Sequence, residues 1–479
     1  MRASSHLALA LAALQLTPVT AERILGAYIF ARHGDRTPKV FGDTQLTDLG
    51  YHEVHQVGSY YHDRYIAPKS DLQIAGISDP SVNLSQVTAV APADEVIQNS
   101  AMGFLQALYP PVGKSDSSQT LRNGTTVEAP LNGYQLIPLG EVSTGSDSED
   151  NQWLQEAGDC NKATTSSNSF YSSSLYRDLL DSTKDFYHSL SPILDGEFTD
   201  KQMSFKKAYT IFDYINVAMI HNATDTTPKL DDLSKEDLHQ LFTLASAQQY
   251  NLAYNHSDTV RAAAGAVLAG QVVEALGKTI SSKGSSKLNI QFGSYATFLS
   301  YFGLAKMPNT NTDFAGIPDY ASSMSWELVT NSTDGFPSES DISVRFIFHN
   351  GTITSTSQPS AWPLFGQSNL LLPWSDFADQ TKRFSINSEE EWCKACGNTG
   401  GQCAQFVKST ADAGTPSSSS ESGGMSLAVA GVIGAMVTLA VILGLEGLFL
   451  LVGGFRLSKK RAAGSEVGSA VVTENKPPA

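Results

Sequence analysis

Arg32-His33-Gly34-Asp35-Arg36-Thr37-Pro38 sets one imidazole between two guanidinium groups, directly after the short apolar run Ala27-Tyr28-Ile29-Phe30. Arginine presents a planar fork of donors suited to bidentate recognition of phosphate oxygens. Gly34 lets the backbone approach a ligand where a Cβ would obstruct it. A histidine between two fixed cations is a nucleophile inside a phosphate pocket. The chemistry is phosphoryl transfer to His33, with Arg32 and Arg36 holding the oxygens. The competing reading of these residues is a strand-to-loop surface segment with adventitious basic side chains.

The run resembles the signature of the histidine acid phosphatases, branch 2 of the histidine phosphatase superfamily, whose fold is phosphoglycerate mutase-like. Other stretches carry the same resemblance: Leu46-Thr47-Asp48-Leu49-Gly50 leading into a helix, Ser100-Ala101 through Leu108-Tyr109-Pro110, Phe302-Gly303-Leu304, and Ala321-Ser322 to Trp326-Glu327-Leu328. The resemblance implies an α/β fold over residues 22–407, a three-layer sandwich with a central mixed sheet and an inserted, mostly helical subdomain at about 125–260. It implies phosphate monoester hydrolysis through phosphohistidine without a cofactor, and a phosphorylated small molecule or other anion as partner.

Such a reaction needs further donors for the phosphoryl oxygens and an acid for the leaving oxygen. In the resembled family these are an Arg at the start of the second helix and a His-Asp pair at a later strand-to-helix junction. The Arg position is filled by Val96, or by Glu95 in the neighbouring register, and no Lys or Arg occurs between Ser70 and Gly113. The junction is placed by the alternation Leu288, Ile290, Phe292, by Gly293, and by Ser294 as cap of a helix carrying Phe298, Leu299 and Phe302. There the pair is replaced by Ser294-Tyr295. His349-Asn350 is not the pair, because Val344, Phe346 and Phe348 alternate as a strand and Asn350-Gly351 is a turn signal.

Two residues remain as substitutes for the acid. Tyr295 is a weak donor, with a reference pKa of about 10, and Glu95 serves only if it faces His33. Loss of two charged donors at about 1.5–3 kcal/mol each weakens phosphate binding by roughly two to four powers of ten. Loss of acid assistance removes about another 10²–10⁴ in rate. The residues therefore support two functions: a phosphomonoesterase working through His33, or a catalytically impaired pseudophosphatase that binds an anionic ligand or surface partner.

The elements that position these residues follow from periodicity. A helix runs to about Tyr65 with Leu49, Val57, Tyr60, Tyr61 and Tyr65 as its buried side, and another spans Glu95 to Tyr109 with Ile97, Ala101, Phe104, Leu105 and Leu108 inward, stopped by Pro110-Pro111. Helical patterning also covers Leu175 to Leu190, Leu238 to Tyr254 and Ala262 to Leu276. His52, His55 and His62 recur along one helix as a polar face, without the carboxylate or cysteine company of a metal site.

The termini and composition address location. Residues 1–21, with Arg2, the apolar run Leu7 to Leu16 and Val19-Thr20-Ala21, read as a cleaved signal peptide. A Ser/Gly-rich stalk at 408–424 precedes an apolar stretch at 425–452, long enough to span a bilayer. Arg456, Lys459, Lys460 and Arg461 follow in a tail at 453–479, which predicts a single-pass type I membrane protein with its N-terminal domain extracellular or luminal. The six sequons at Asn83, Asn123, Asn222, Asn255, Asn331 and Asn350 all precede the span, as do the four cysteines. Cys160, Cys393, Cys396 and Cys403 read as two disulfides rather than a metal site. The resemblance favours a bridge from Cys160 to one of the other three, with the remaining two paired locally. A formal net charge of −16 argues against nucleic acid, whose phosphates need a basic face.

Overall fold

The computed structural model describes residues 22–142, 159–221 and 230–411. The expected signal peptide, the stalk beyond residue 411, the membrane span, the tail and the sequon at Asn222 lie outside the described residues. The first four residues expected in the stalk instead close a helix, Ala404–Ala411.

An eight-stranded mixed sheet organises the chain: β1 (Arg23–Arg32), β2 (Val87–Pro92), β3 (Leu139–Val142), β4 (Leu288–Gly293), β5 (Ser323–Thr330), β6 (Ser343–His349), β7 (Ser360–Trp362) and β8 (Leu371–Pro373). The order is β8-β6-β5-β1-β4-β2-β3, with β7 also pairing β6. β1, β4, β2 and β3 run parallel, whereas β5 through β8 pair antiparallel. The main helices are α1 (Asp48–Tyr65), α2 (Glu95–Leu108), α3 (Ala208–His221), α4 (Lys235–Ala253), α5 (Ala263–Ser281) and α6 (Tyr295–Leu304).

β1 is buried on both faces, which is why it reads as an unbroken apolar run rather than as an alternation. Ile24, Ala27, Ile29 and Ala31 pack with α1 and α2 on one side. Leu25, Tyr28 and Phe30 pack with α5 and α6 on the other. Helices thus cover both faces of the sheet. α5 with its preceding turn is long and apolar enough to cross a membrane, but most of it is buried in this core.

Thr47 caps α1 by accepting from the Gly50 amide, and Asp94 caps α2 by accepting from that of Ile97. The inward face of α2 is the expected one. On α1 the buried residues are Gly50, Val54, Val57, Gly58, Tyr61 and Tyr65, while Leu49 is 40% exposed. Leu49 lies one residue, about 100° of turn, away from the 50-54-57-61-65 stripe.

The inserted region differs at its start from the helical expectation. Residues 118–128 form a small two-stranded hairpin, and β3 completes the sheet beside β2. After the short Pro130–Gly133 turn, the helices begin at Asn161. The helix expected over Leu175 to Leu190 is two, Ser174–Ser182 and Lys184–Ser189, parted at Thr183. They share a core of their own, including Phe170, Tyr187, Leu194, Phe205, Ile211 and Leu241. Cys160 bonds Cys396 and Cys393 bonds Cys403, tying the start of this region to the C-terminal helices.

Candidate active site

β1 and β4 are adjacent and parallel, with Arg32 opposite Gly293, so the signature and the Ser294-Tyr295 junction emerge together at the carboxyl end of the sheet. Clefts form there because the chain departs to helices on opposite faces. His33 is buried, 2% exposed. Its Nδ1–H donates to the Gly34 carbonyl at 2.8 Å, which makes Nε2 the unprotonated nitrogen of the neutral ring. Burial first, then the charges of Arg32 and Arg36, hold its pKa well below the ordinary histidine value. Both causes favour the neutral ring.

The Gly34 amide donates to Ser100 Oγ on α2 at 3.2 Å. A Cβ on Gly34 would lie 2.2 Å from the Gly50 carbonyl oxygen, and one on Gly50 would lie 2.1 Å from that of Asp35. The signature loop and the first turn of α1 thus touch backbone to backbone, which explains the glycine in Leu46-Thr47-Asp48-Leu49-Gly50. Gly50→Ala is expected to cost about 1–3 kcal/mol or more, because backbone rather than a side-chain tip must yield. Urea unfolding of the variant checks it.

The second half of the signature is bound to α3. Arg36 is fully buried and forms a forked pair with Asp213, Nη2 to Oδ1 at 2.8 Å and Nη1 to Oδ2 at 3.2 Å. It also donates to Tyr209 Oη and to the Thr37 carbonyl, and the Lys39 amide donates to Asp213 Oδ2 at 2.8 Å. Two turns further along α3, His221 Nε2 lies 2.6 Å from Asp35 Oδ2, an oxygen that also accepts from Thr47 Oγ1.

Arg32 donates to the Pro318 carbonyl. Its guanidinium stands 4.6 Å from the Tyr320 ring centre and 5.3 Å from that of Tyr295. The Tyr320 ring is also 5.8 Å from Arg36 and 5.8 Å from the His33 ring. One phenol thus packs against Arg32, Arg36 and His33 together. The loop carrying it is held by Ala321 N–H to the His33 carbonyl at 3.0 Å and Arg32 N–H to the Ser322 carbonyl at 2.8 Å. Asn350 Oδ1 accepts from the Asp319 amide at 2.8 Å. Ala321 has φ of +58°, a left-handed conformation costly for a non-glycine residue.

Residues 40–349, well over half of the chain, match the family model of the histidine phosphatase superfamily (branch 2). The chain belongs to this branch. The matched region begins just after the signature, so membership rests on the body of the domain and not on that motif alone. The fold is also similar to that of solved relatives at very low identity. A Klebsiella phytase has a TM-score of 0.53 at 10% identity, covering 76% of this chain and 96% of its own. A Hafnia alvei phytase in complex with tartrate scores 0.50 at 13%, covering 78% and 98%. A Bifidobacterium longum multiple inositol polyphosphate phosphatase in complex with inositol hexasulfate scores 0.50 at 9%, covering 78% and 94%. The chain has no match among curated protein sequences.

In this branch 2 histidine phosphatase the positions expected to supply an acid do not converge on His33. Glu95 is exposed on the first turn of α2, and no hydrogen bond or ion pair joins it to His33 among the described residues. It points outward because Val96 and Ile97 take the buried face. Tyr295 does lie beside the site, 4% exposed, but its Oη donates to Gln249 Oε1 at 3.1 Å and its ring packs on Tyr209 at 4.9 Å. Val96, where the family's second Arg was sought, is buried. His349 closes β6, and β7 returns antiparallel beside it, as the turn signal implied; its ring nitrogens bond the Gly351 carbonyl and Ser357 Oγ.

One carboxyl near the site was absent from the sequence reading. Glu53 Oε2 on α1 accepts from the Asp35 amide at 2.8 Å. Burial, aided by the charges of Asp35 and Asp319 and opposed by the Asp35 amide and Arg32, pushes its carboxyl up to about 7. Because the folded pKa exceeds the unfolded one, this group destabilises the fold progressively as pH rises from about 4.5 to about 7. Glu53→Gln is expected to flatten that part of the stability profile, read as the difference in denaturant midpoints between variant and parent from pH 4 to 8.

Proposed function

We propose that this chain is a catalytically silenced histidine phosphatase whose signature has become an internal anchor and whose neighbouring cleft binds a ligand. The observation that carries the reading is the fork of both Arg36 Nη atoms onto Asp213, with the Tyr320 ring against Arg32, Arg36 and His33. A phosphate has to displace a buried carboxylate that already satisfies the Arg36 fork, and to move an aromatic ring. It meets no second-helix Arg and no His-Asp pair when it arrives. The absent donors and acid together remove roughly four or more powers of ten from catalysis.

A second reading, phosphate monoester hydrolysis through phosphohistidine, is favoured by His33 itself. Its Nδ1 is anchored, its Nε2 is the open nitrogen and the ring is held neutral. The two readings separate on one assay: full-length protein and His33→Ala, each given p-nitrophenyl phosphate between pH 4 and 8. Indistinguishable rates are expected. Turnover that disappears in His33→Ala sinks the silenced-site reading.

We further place the domain on the extracytoplasmic side of a membrane, supported by the leader, the sequons, the apolar C-terminal stretch and the two cysteine pairs. Loss of apparent mass on N-glycosidase treatment of protein from a eukaryotic host is the expected result.

A further inference from the structure

The cleft beside the signature opens into a second hollow behind the Ile317–Tyr320 loop. The smaller space, about 420 Å³, has Arg32, Asp213, Asp319 and Tyr320 in its wall. The larger, about 750 Å³, shares His239, Phe242, Ile317, Pro318 and Asn350 with it. That volume falls in the range of small-molecule sites.

The larger hollow is aromatic on one side. Phe314 stands edge-on to Phe302 at 4.8 Å and to Trp362 at 5.1 Å, with Phe348 at 5.3 Å. α4 forms the facing wall with Phe242 and Tyr250. Among the described residues no lysine or arginine lines this space, and its one carboxylate is that of Asp313. The cation in the adjoining wall, Arg32, donates to the Pro318 carbonyl and is flanked by two tyrosine rings. Asp319 adds a second carboxylate at the shared loop, within a chain of net charge −16.

We propose that this hollow binds a small organic amine with an aromatic or otherwise apolar body. Aromatic faces attract an ammonium through their quadrupole, most strongly where water is excluded. Asp313 and Asp319 favour the same charge and repel an anion of equal shape. The apolar body meets the Phe302, Phe314 and Phe348 cluster. The proposal deepens the silenced-site reading by naming the ligand class of the cleft, which phosphate has ceased to define.

The test titrates full-length protein with 2-phenylethylamine and, separately, with phenylacetate, followed by calorimetry at pH 7. The amine is expected to bind at least about tenfold more tightly than the acid. Asp313→Asn is expected to narrow that ratio. Thr243→Trp, which places an indole in the hollow from an exposed position on α4, is expected to abolish amine binding while the ligand-free unfolding temperature stays unchanged. Equal or tighter binding of phenylacetate, no binding of either compound, or undiminished amine affinity in a folded Thr243→Trp protein overturns the proposal. His33-dependent turnover in the same preparation counts against the silenced site and not against the amine, so the two failures are distinguishable.

Discussion

Asp213→Ala is expected to lower the free energy of unfolding by about 3–5 kcal/mol, the range for removing one partner of a buried ion pair. Arg36 and Asp213 are 0% and 3% exposed, and the lost carboxylate serves two guanidinium nitrogens and the Lys39 amide at once. The guanidinium cannot shed its proton to escape the low-dielectric surroundings, so the variant carries an uncompensated charge. Tyr209 Oη and the Thr37 carbonyl remain as its partners. Replacing both members, Arg36→Met with Asp213→Leu, is expected to recover much of the loss, because the cost lies in the orphaned charge more than in the missing attraction. Inorganic phosphate is expected to stabilise Asp213→Ala more than the parent by entering the vacated fork, read as a concentration-dependent rise in unfolding temperature. A cost below about 1 kcal/mol for Asp213→Ala, against the range for a buried pair, would show that the pair is not an anchor.

Cys160→Ser with Cys396→Ser is expected to destabilise the domain by about 4–5 kcal/mol, near the top of the range for disulfides. The bridge joins residues 236 apart, so its removal frees a long loop in the unfolded chain. The Cys393–Cys403 bridge closes only 10 residues, and the same chain-entropy argument assigns it about 2–3 kcal/mol. The long bridge also fastens a small cluster in which Ala163, Val267 and Trp392 meet, between the inserted helices, α5 and the C-terminal segment. Urea unfolding of the two double variants under identical conditions checks both the magnitude and the order. Equal costs would mean that residual structure in the unfolded state, rather than loop length, governs the effect.

The elements that seat the signature were legible because each obeys a local rule. The stripes of α1 and α2, the Leu288-Ile290-Phe292 strand, the Ser294 start of α6 and the end of β6 at His349 all follow from side-chain period and local chemistry. Leu49 and the segment 125–142 departed from expectation where the signal was weakest. A first-turn residue can sit one position off the stripe, and a four-residue strand needs an existing edge, here β2, before it has a partner.

By itself the sequence determined the family, the histidine and its two arginines, the lack of an Arg on the second helix and the Ser294-Tyr295 at the strand-to-helix junction, since these are matters of which residue stands at which position. Only the tertiary structure decided what Arg32 and Arg36 do. Their partners, Asp213 and the Tyr320 loop, lie 177 and 286 residues away along the chain, and in sequence one is a lone carboxylate on a helix and the other an aromatic before a small-residue pair. Burial supplies the rest. The same packing that keeps water from His33 turns Asp213 from a solvated side chain into the counterion of Arg36, raises the carboxyl of Glu53, and sets the Tyr320 ring beside His33.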